Sequence, residues 1–301
     1  MKAGPSFFAA AMLFGSLACA QSVALTFDDG LDPTTRPQAT EWNDALLGKL
    51  RAAGIRSMIF PSLRHTGGGA GRALVRHWSE AGHDVGNHTS RHRNFGSNQV
   101  SLDDFIADVK EADEAFRDLP TWVRTLRFPY LKEGETRDKV DGMRRWMAEN
   151  AYVSAPVSID TSDWYFNAAF LRLQAQSDKV RLESLRDAYV HHILDRSNYY
   201  DELARKLIGR SPKHVMLLHV NAINAQFLPD VIGALRQRGW VIVAPAEAFA
   251  DPIYRLTSQV LPAGESVVWS IAKASGVSGL RYPAEDSVYE ESALRLLGLL
   301  P

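Results

Sequence analysis

The feature that most restricts the fold of this chain of 301 residues is a regular alternation of short apolar runs with longer amphipathic segments. Residues 23–27, 56–60, 83–87, 123–128, 152–159, 214–218 and 240–243 are short, rich in strand formers and bounded by turn residues, as buried strands are. Residues 41–53, 72–81, 102–119, 137–150 and 227–238 carry apolar side chains at helical spacing, the stretch between Tyr165 and Pro212 is almost wholly helical, and Gly67-Gly68-Gly69 reads as a flexible loop. About seven strand–helix repeats over roughly 230 residues predict an α/β fold with a largely parallel sheet, and fit a (β/α) barrel better than a small open sheet. Both architectures put ligands at the carboxyl ends of strands. In the tail, 251–301, residues 267–271 resemble a strand and 287–299 an amphipathic helix, both expected to pack against the barrel.

Composition narrows the partners. A hydrophobic content of 46% supports one large core, and a formal net charge of −1 leaves no basic footprint for nucleic acid. Residues 1–20 combine Lys2, an apolar run from Phe7 to Ala18 and the small-x-small site Ala18-Cys19-Ala20, the form of a secretory signal peptide too short to span a bilayer. The expectation is an exported protein, periplasmic or extracellular, starting near Gln21, with no disulfide and no further transmembrane segment. Cys19 is the sole cysteine. Its lipidation is the competing reading, disfavoured by Ser16 where lipobox sequences carry Leu.

The chemistry-bearing residues fall at strand ends. Asp28, Asp29, His88, Arg127, Asp160, Asp163 and His219 each lie at or just beyond the end of an apolar run, where a (β/α) barrel gathers its catalytic groups. In His88-Thr89-Ser90-Arg91-His92 two imidazoles at i and i+4 share a face if the segment turns helically, and both reach one cation, with a carboxylate as third ligand and a position left open. Adjacent acids point in different directions, so one of Asp28 and Asp29 can bind the metal while the other takes a proton from water, the division of labour in metal-assisted hydrolysis. His219 is placed to protonate a leaving group, with Asp163 and Arg127 as a charged support. The alternatives are a turn for Asp-Asp-Gly, an interior histidine for His219 and ordinary ion pairs for Arg124 and Arg127. His191-His192 reads as a surface pair, His83 belongs to strand packing, and His65, His77 and His214 have no assigned role.

Thr26-Phe27-Asp28-Asp29-Gly30, His88-Thr89-x-x-His92, Arg127-Phe128-Pro129-Tyr130, Asp160-x-x-Asp163-Trp164 and Leu217-Leu218-His219 occur in the order and spacing of the five motifs of the polysaccharide deacetylases. The chain therefore resembles carbohydrate esterase family four, the NodB-homology group, over roughly residues 22–250. The resemblance implies a distorted (β/α) barrel that removes N-acetyl, less often O-acetyl, groups from a carbohydrate with one divalent metal. It implies Asp29, His88 and His92 as metal ligands, Asp28 as general base on the water, and His219 as the acid protonating the departing amine. Arg127 would orient Asp28, Asp163 would tune His219, Tyr130 would offer its backbone N–H to the oxyanion, and Trp164 and Leu217 would line the pocket for the acetyl methyl. Zinc suits such a ligand set, and cobalt, nickel or manganese would also be accommodated.

The chain departs from the family pattern in three places: Leu131 stands where Gly commonly follows the Pro-Tyr pair, the helical insertion 165–212 is long, and the tail 251–301 lies beyond the family domain. The expected organisation is a signal peptide, 1–20, a barrel, 21–250, and the extension, 251–301. Two functions follow: a metal-dependent carbohydrate deacetylase acting on an N-acetylated oligo- or polysaccharide, and a noncatalytic carbohydrate-binding protein on the same barrel. Completeness of the acid, base and ligand set favours the enzyme.

Overall fold

The computed structural model describes residues 21–256, 259–281 and 287–301, so the amino-terminal leader and Cys19 lie outside the described residues. Strands β1 (Ser22–Asp29), β2 (Met58–Pro61), β3 (Asp84–Asn87), β4 (Trp122–Leu126), β5 (Lys132–Gly134), β6 (Val153–Ser154), β7 (Lys213–His219), β8 (Val241–Ile242) and β9 (Ala263–Gly264) alternate with helices. In chain order these are α1 (Ala39–Ala53), α2 (Leu63–Thr66), α3 (Gly69–Glu80), α4 (Leu102–Phe116), α5 (Arg137–Glu149), α6 (Asp163–Ala175), α7 (Lys179–Ile208), α8 (Ala222–Gln237), α9 (Pro245–Phe249), α10 (Val267–Ala274) and α11 (Val288–Leu296). Among the described residues no helix is long and apolar enough to cross a membrane.

The main sheet has seven strands, in the order β6-β4-β3-β2-β1-β7, with β8 added beside β1. All its pairings are parallel. β1 is buried from Ser22 to Asp28 because it is flanked on both edges: β7 pairs with Ser22 to Asp28 on one, while β8 and β2 divide the other. One short segment curls the sheet toward closure. Val153 and Ser154 pair with β4, and five residues on Ile159 bridges to Met216 of β7, with Leu217 N–H donating to the Ile159 carbonyl at 2.9 Å. The expected distorted (β/α) barrel of about seven strands is the architecture observed.

Local sequence accounts for the helix boundaries. Ser101 accepts the Asp104 N–H at 3.1 Å and starts α4, Gly54 ends α1 with φ of 67°, and Asn221 caps α8 through the Asn224 N–H. The insertion is the helical pair α6 and α7, whose buried Phe170, Leu173, Leu185 and Tyr189 join the main core with Phe227 and Leu228 of α8.

Three expectations are corrected. Residues 267–271 form the start of helix α10, not a strand: Val267, Val268 and Ala272 are buried together, and this packing overrides the β-branched preference of the valines. The Gly67-Gly68-Gly69 run is not a free loop; α2 precedes it, and α3 begins at Gly69, where a Cβ at Gly71 would come within 1.8 Å of the Thr66 carbonyl oxygen. His192 is not a surface residue: only 14% of its side chain is exposed, and its Nε2 lies 2.7 Å from the Thr161 carbonyl. The tail folds back on the barrel, with Val267 N–H bonded to the Val157 carbonyl and Leu294 and Leu299 buried in the core.

Candidate active site

β1 delivers Asp28 and Asp29 to the mouth of the barrel and turns at Gly30, whose φ is +83° and whose Cβ, if present, would fall 2.6 Å from a Thr66 methyl. The loop after β3 delivers the imidazoles. It is not helical, as i, i+4 ligation assumes: Thr89 and His92 are left-handed (φ 66° and 51°), with Thr89 N–H on the Asn87 Oδ1 and His92 N–H on the Thr89 Oγ1. The two rings still converge on Asp29. His92 Nε2 lies 3.4 Å and His88 Nε2 3.6 Å from Asp29 Oδ1, and one donor atom from each of the three residues falls within 4.8 Å of the others.

These residues fit a divalent cation. Asp29 Oδ1 is buried with no hydrogen-bond partner among the described residues, a costly state for a carboxylate oxygen unless a ligand takes its lone pair. His88 Nδ1 lies 2.8 Å from the Arg127 carbonyl, which can only accept, so Nδ1 carries the proton and Nε2 presents its lone pair to the centre. Burial holds the His88 imidazole well below its ordinary range, and pushes that of His92 down to about 4 despite Asp29. Burial would raise Asp29, but the hydrogen bond from His65 and the fields of His219, His65 and His92 outweigh it and hold the carboxyl well below the usual carboxylate range. Two neutral imidazoles and an ionised carboxylate are an open N,N,O ligand set.

Asp28 lies beside the same cluster, with Oδ2 3.7 Å from His88 Nε2, but takes its hydrogen bonds from an arginine. Arg127, fully buried at the end of β4, donates from Nη1 to Asp28 Oδ1 at 3.1 Å and Oδ2 at 3.2 Å. The guanidinium is itself held by the Ala155 carbonyl, Thr26 Oγ1 and the face of Phe60. Burial lifts the Asp28 carboxyl to about 6 against the pull of Arg127. Arg127 therefore supports Asp28 rather than His219, as the family resemblance implies and the direct reading of a shared Asp163–Arg127 support did not. His219 ends β7 with Nδ1 2.6 Å from Asp163 Oδ1. The other Asp163 oxygen accepts the His219 backbone N–H at 2.8 Å and the amides of Asn221 and Asn224. Burial opposes charge on His219, but Asp163, Asp29 and Asp28 outweigh it and push the imidazole up to about 10.

Asp29, His219 and Trp164 line one open cavity of about 490 Å³, together with His65, Asn167, Asn221, Arg36 and Arg64. Trp164 is 40% exposed and Tyr130 46% exposed, and the Tyr130 ring meets His92 edge-on at 4.7 Å. Tyr130 and Leu131 are both left-handed, with φ of 56°, so the chain turns here without the expected glycine. Leu217 is placed differently: its side chain joins the apolar cluster of Ala24, Leu131, Val157 and Val215 rather than that cavity. Asp160 is 3% exposed, and burial lifts its carboxyl to about 6 despite Arg196.

Sequence reasoning left three contributors unassigned. His65, on the single turn α2, sits with Nδ1 3.0 Å from Asp29 Oδ2 and its ring 4.7 Å from that of His92. Asn224 bridges inward from α8, and Tyr189 of α7 donates to Asn224 Oδ1 at 2.6 Å, so the insertion supports the Asp163–His219 pair. The Asn-x-x-Asn cap beginning at Asn221 is the one visible signal among them.

Comparison with known proteins agrees with the first three of the five motifs, those within residues 18–145. Residues 18–145 match the polysaccharide deacetylase family. A peptidoglycan-N-acetylglucosamine deacetylase of Bacillus cereus is 28% identical over 143 residues, 47% of this chain and 46% of that protein, so the chain spans less than half the length of this curated relative. The chitin deacetylase of the fungal pathogen Colletotrichum lindemuthianum shares the fold at TM-score 0.51 and 20% identity, covering 78% of this chain and 90% of that one. A CE4 family pseudoenzyme from Bacillus anthracis shares it at TM-score 0.52 and 16% identity, covering 76% and 66%.

Proposed function

We propose that this chain, whose residues 18–145 match the polysaccharide deacetylase family, is a metal-dependent hydrolase that removes acetyl groups, N-acetyl above all, from a carbohydrate. The observation that carries the reading is the meeting, within one barrel mouth, of an open N,N,O ligand set with a buried carboxylate held by Arg127 and an imidazole held by Asp163. Asp29, His88 and His92 would hold a divalent cation, for which zinc suits the ligands, and it would supply Lewis-acid polarisation of the acetyl carbonyl and raise the acidity of water.

The chain's own residues do the rest. Arg127 fixes both oxygens of Asp28, so that this carboxylate accepts the proton of the attacking water in one orientation. Asp163 binds the Nδ1 proton of His219, which leaves Nε2–H as the donor to the departing amine. The backbone N–H of Tyr130 serves the developing oxyanion. Trp164, exposed on the cavity wall, supplies an apolar face to the sugar or its acetyl methyl. The Bacillus cereus relative makes peptidoglycan glycan strands the first substrate to try, followed by chitin oligomers and acetylated xylan. The apolar leader supports export, and amino-terminal sequencing of the mature protein from a cell envelope fraction tests that part.

Acetate release from this panel, run with metal-stripped and reconstituted protein, tests the reading. Activity lost on stripping and restored by zinc, cobalt, nickel or manganese, and lost again in Asp28→Asn and His219→Ala, is the expected result. The likeness to a pseudoenzyme keeps a binding function in view. Sugar affinity unaffected by Asp28→Asn, with no acetate from any substrate, would replace the enzyme with a carbohydrate-binding protein.

A further inference from the structure

We propose that the C-terminal extension is a working part of the acid half of this site, and that Glu290 positions Asp163, and through it His219, by holding the loop between Asp160 and Asp163. The function of His219 rests on the deacetylase reading; the contact and its geometry do not.

Four residues connect the barrel wall to the first turn of α6, and each of the middle two is pinned from outside. Thr161 Oγ1 donates to the Leu217 carbonyl of β7 at 2.6 Å. The Thr161 carbonyl lies 2.7 Å from His192 Nε2 of α7, which must therefore carry the proton. Ser162, the residue directly before Asp163, is left-handed, with φ of 50° and ψ of 30°. A serine is held in that conformation only where its surroundings over-determine it. Here its hydroxyl donates to Glu290 Oε1 at 3.0 Å, and Glu290 comes from α11, in the part of the chain that the family motifs do not describe. Arg196 of α7 donates to the same oxygen at 2.8 Å.

Docking of the tail does not require this arrangement. Val267, Val268, Ala272, Leu294 and Leu299 already anchor the extension in the main core. Arg196 and Glu290 are 1% and 2% exposed, and a buried ion pair is a poor anchor because desolvation offsets most of its attraction. The pair is also incompletely satisfied, since Glu290 Oε2 and Arg196 Nη1 are buried without a hydrogen-bond partner among the described residues. What the pair does provide is a directional acceptor for the Ser162 hydroxyl. The strictness is needed next door: the Asp163 carboxylate meets the His219 ring at 2.6 Å while taking three further N–H groups, a geometry that a small rotation of its backbone would break.

The test uses the full chain with Ser162→Gly, Glu290→Ala and Glu290→Gln. Glycine adopts φ of 50° freely, so Ser162→Gly keeps the fold while removing the hydroxyl. Misplacement of a catalytic pair predicts a fall in kcat of roughly ten- to a hundredfold for Ser162→Gly and Glu290→Ala with KM within about twofold, and recovery in Glu290→Gln, which keeps an acceptor oxygen. The second readout is the downfield proton resonance of the His219 Nδ1–H, assigned by its absence in His219→Ala, which should shift upfield or broaden in Ser162→Gly. Wild-type kcat and an unchanged resonance in folded Ser162→Gly would overturn the proposal, whatever happens to the melting temperature. If wild-type protein releases no acetate from any substrate, the deacetylase reading fails while the resonance still decides whether Glu290 positions the pair.

Discussion

Two adjacent carboxylates at the end of β1 are shifted in opposite directions. Asp28 meets one arginine in a dry pocket and is lifted to about 6, whereas Asp29 meets His65, His88 and His92 and is kept ionised. A base must be ionised and an acid protonated, so the rate rises with pH as Asp28 loses its proton and falls as His219, near 10, loses its own. A bound cation favours the deprotonated form of both groups, carboxylate for Asp28 and neutral imidazole for His219, so both limbs of the loaded enzyme's pH–rate profile should lie below those values. Asp163→Asn removes the main support of the His219 charge and should move the basic limb further down, measured as kcat against pH. His65 holds Asp29 Oδ2 and leaves Oδ1 for the metal. His65→Ala is therefore expected to weaken metal affinity by about 10- to 100-fold, measured by calorimetric titration of stripped protein. His65 was illegible in the sequence because it lies on one turn of helix with no periodic pattern, and only the fold of that turn aims it at Asp29. His88 and His92 were legible as a pair for a geometrically different reason: their spacing suggested a helix, while left-handed residues bring them together in a loop. Six of the ten non-glycine residues with positive φ among those described, Asp29, Thr89, His92, Tyr130, Leu131 and Ser162, lie in these loops. Conformations of this kind cost on the order of 1–3 kcal/mol each and collect where a site demands them.

Among elements, the strands and most helices were readable because their apolar spacing is set by the barrel itself. Residues 267–271 were not, since a run such as Val-Val-Trp-Ser-Ile satisfies either period and the burial of Ala272 decides between them. The insertion illustrates a second limit: its helices are plain in the sequence, but the hydrogen bond from Tyr189 to Asn224, and so to Asp163, joins residues 35 positions apart. Leu185 on α7 is fully buried against the same core. Leu185→Ala should lower the unfolding free energy by about 2–5 kcal/mol in a urea titration, and a change below about 0.5 kcal/mol would mean that α7 does not pack on the barrel.

For the whole molecule, acid lability follows from an interior imidazole. His83 is 4% exposed and its Nδ1 accepts the Ser57 N–H at 3.0 Å, so the folded protein needs it neutral, and burial pushes it down to about 4. A folded-state value below the unfolded one means that its contribution is complete above about 6.5 and lost as pH falls toward 4, by up to about 3 kcal/mol. Melting temperatures recorded between pH 7.5 and 4.5 should fall accordingly, and more shallowly in His83→Asn. The pairing of β1 with β7 carries a consequence for biosynthesis. Ser22 to Asp28 take their partners from Lys213 to His219, with Thr26 bonded to Met216 across 190 residues. A chain emerging from the ribosome exposes the apolar edge of its first strand until nearly three quarters of the protein has been made. The proposed ligands Asp29, His88 and His92 all precede that moment, while the proposed acid His219 is the residue that completes it. A nascent chain stalled before β7 would thus carry all three proposed metal ligands without the proposed acid.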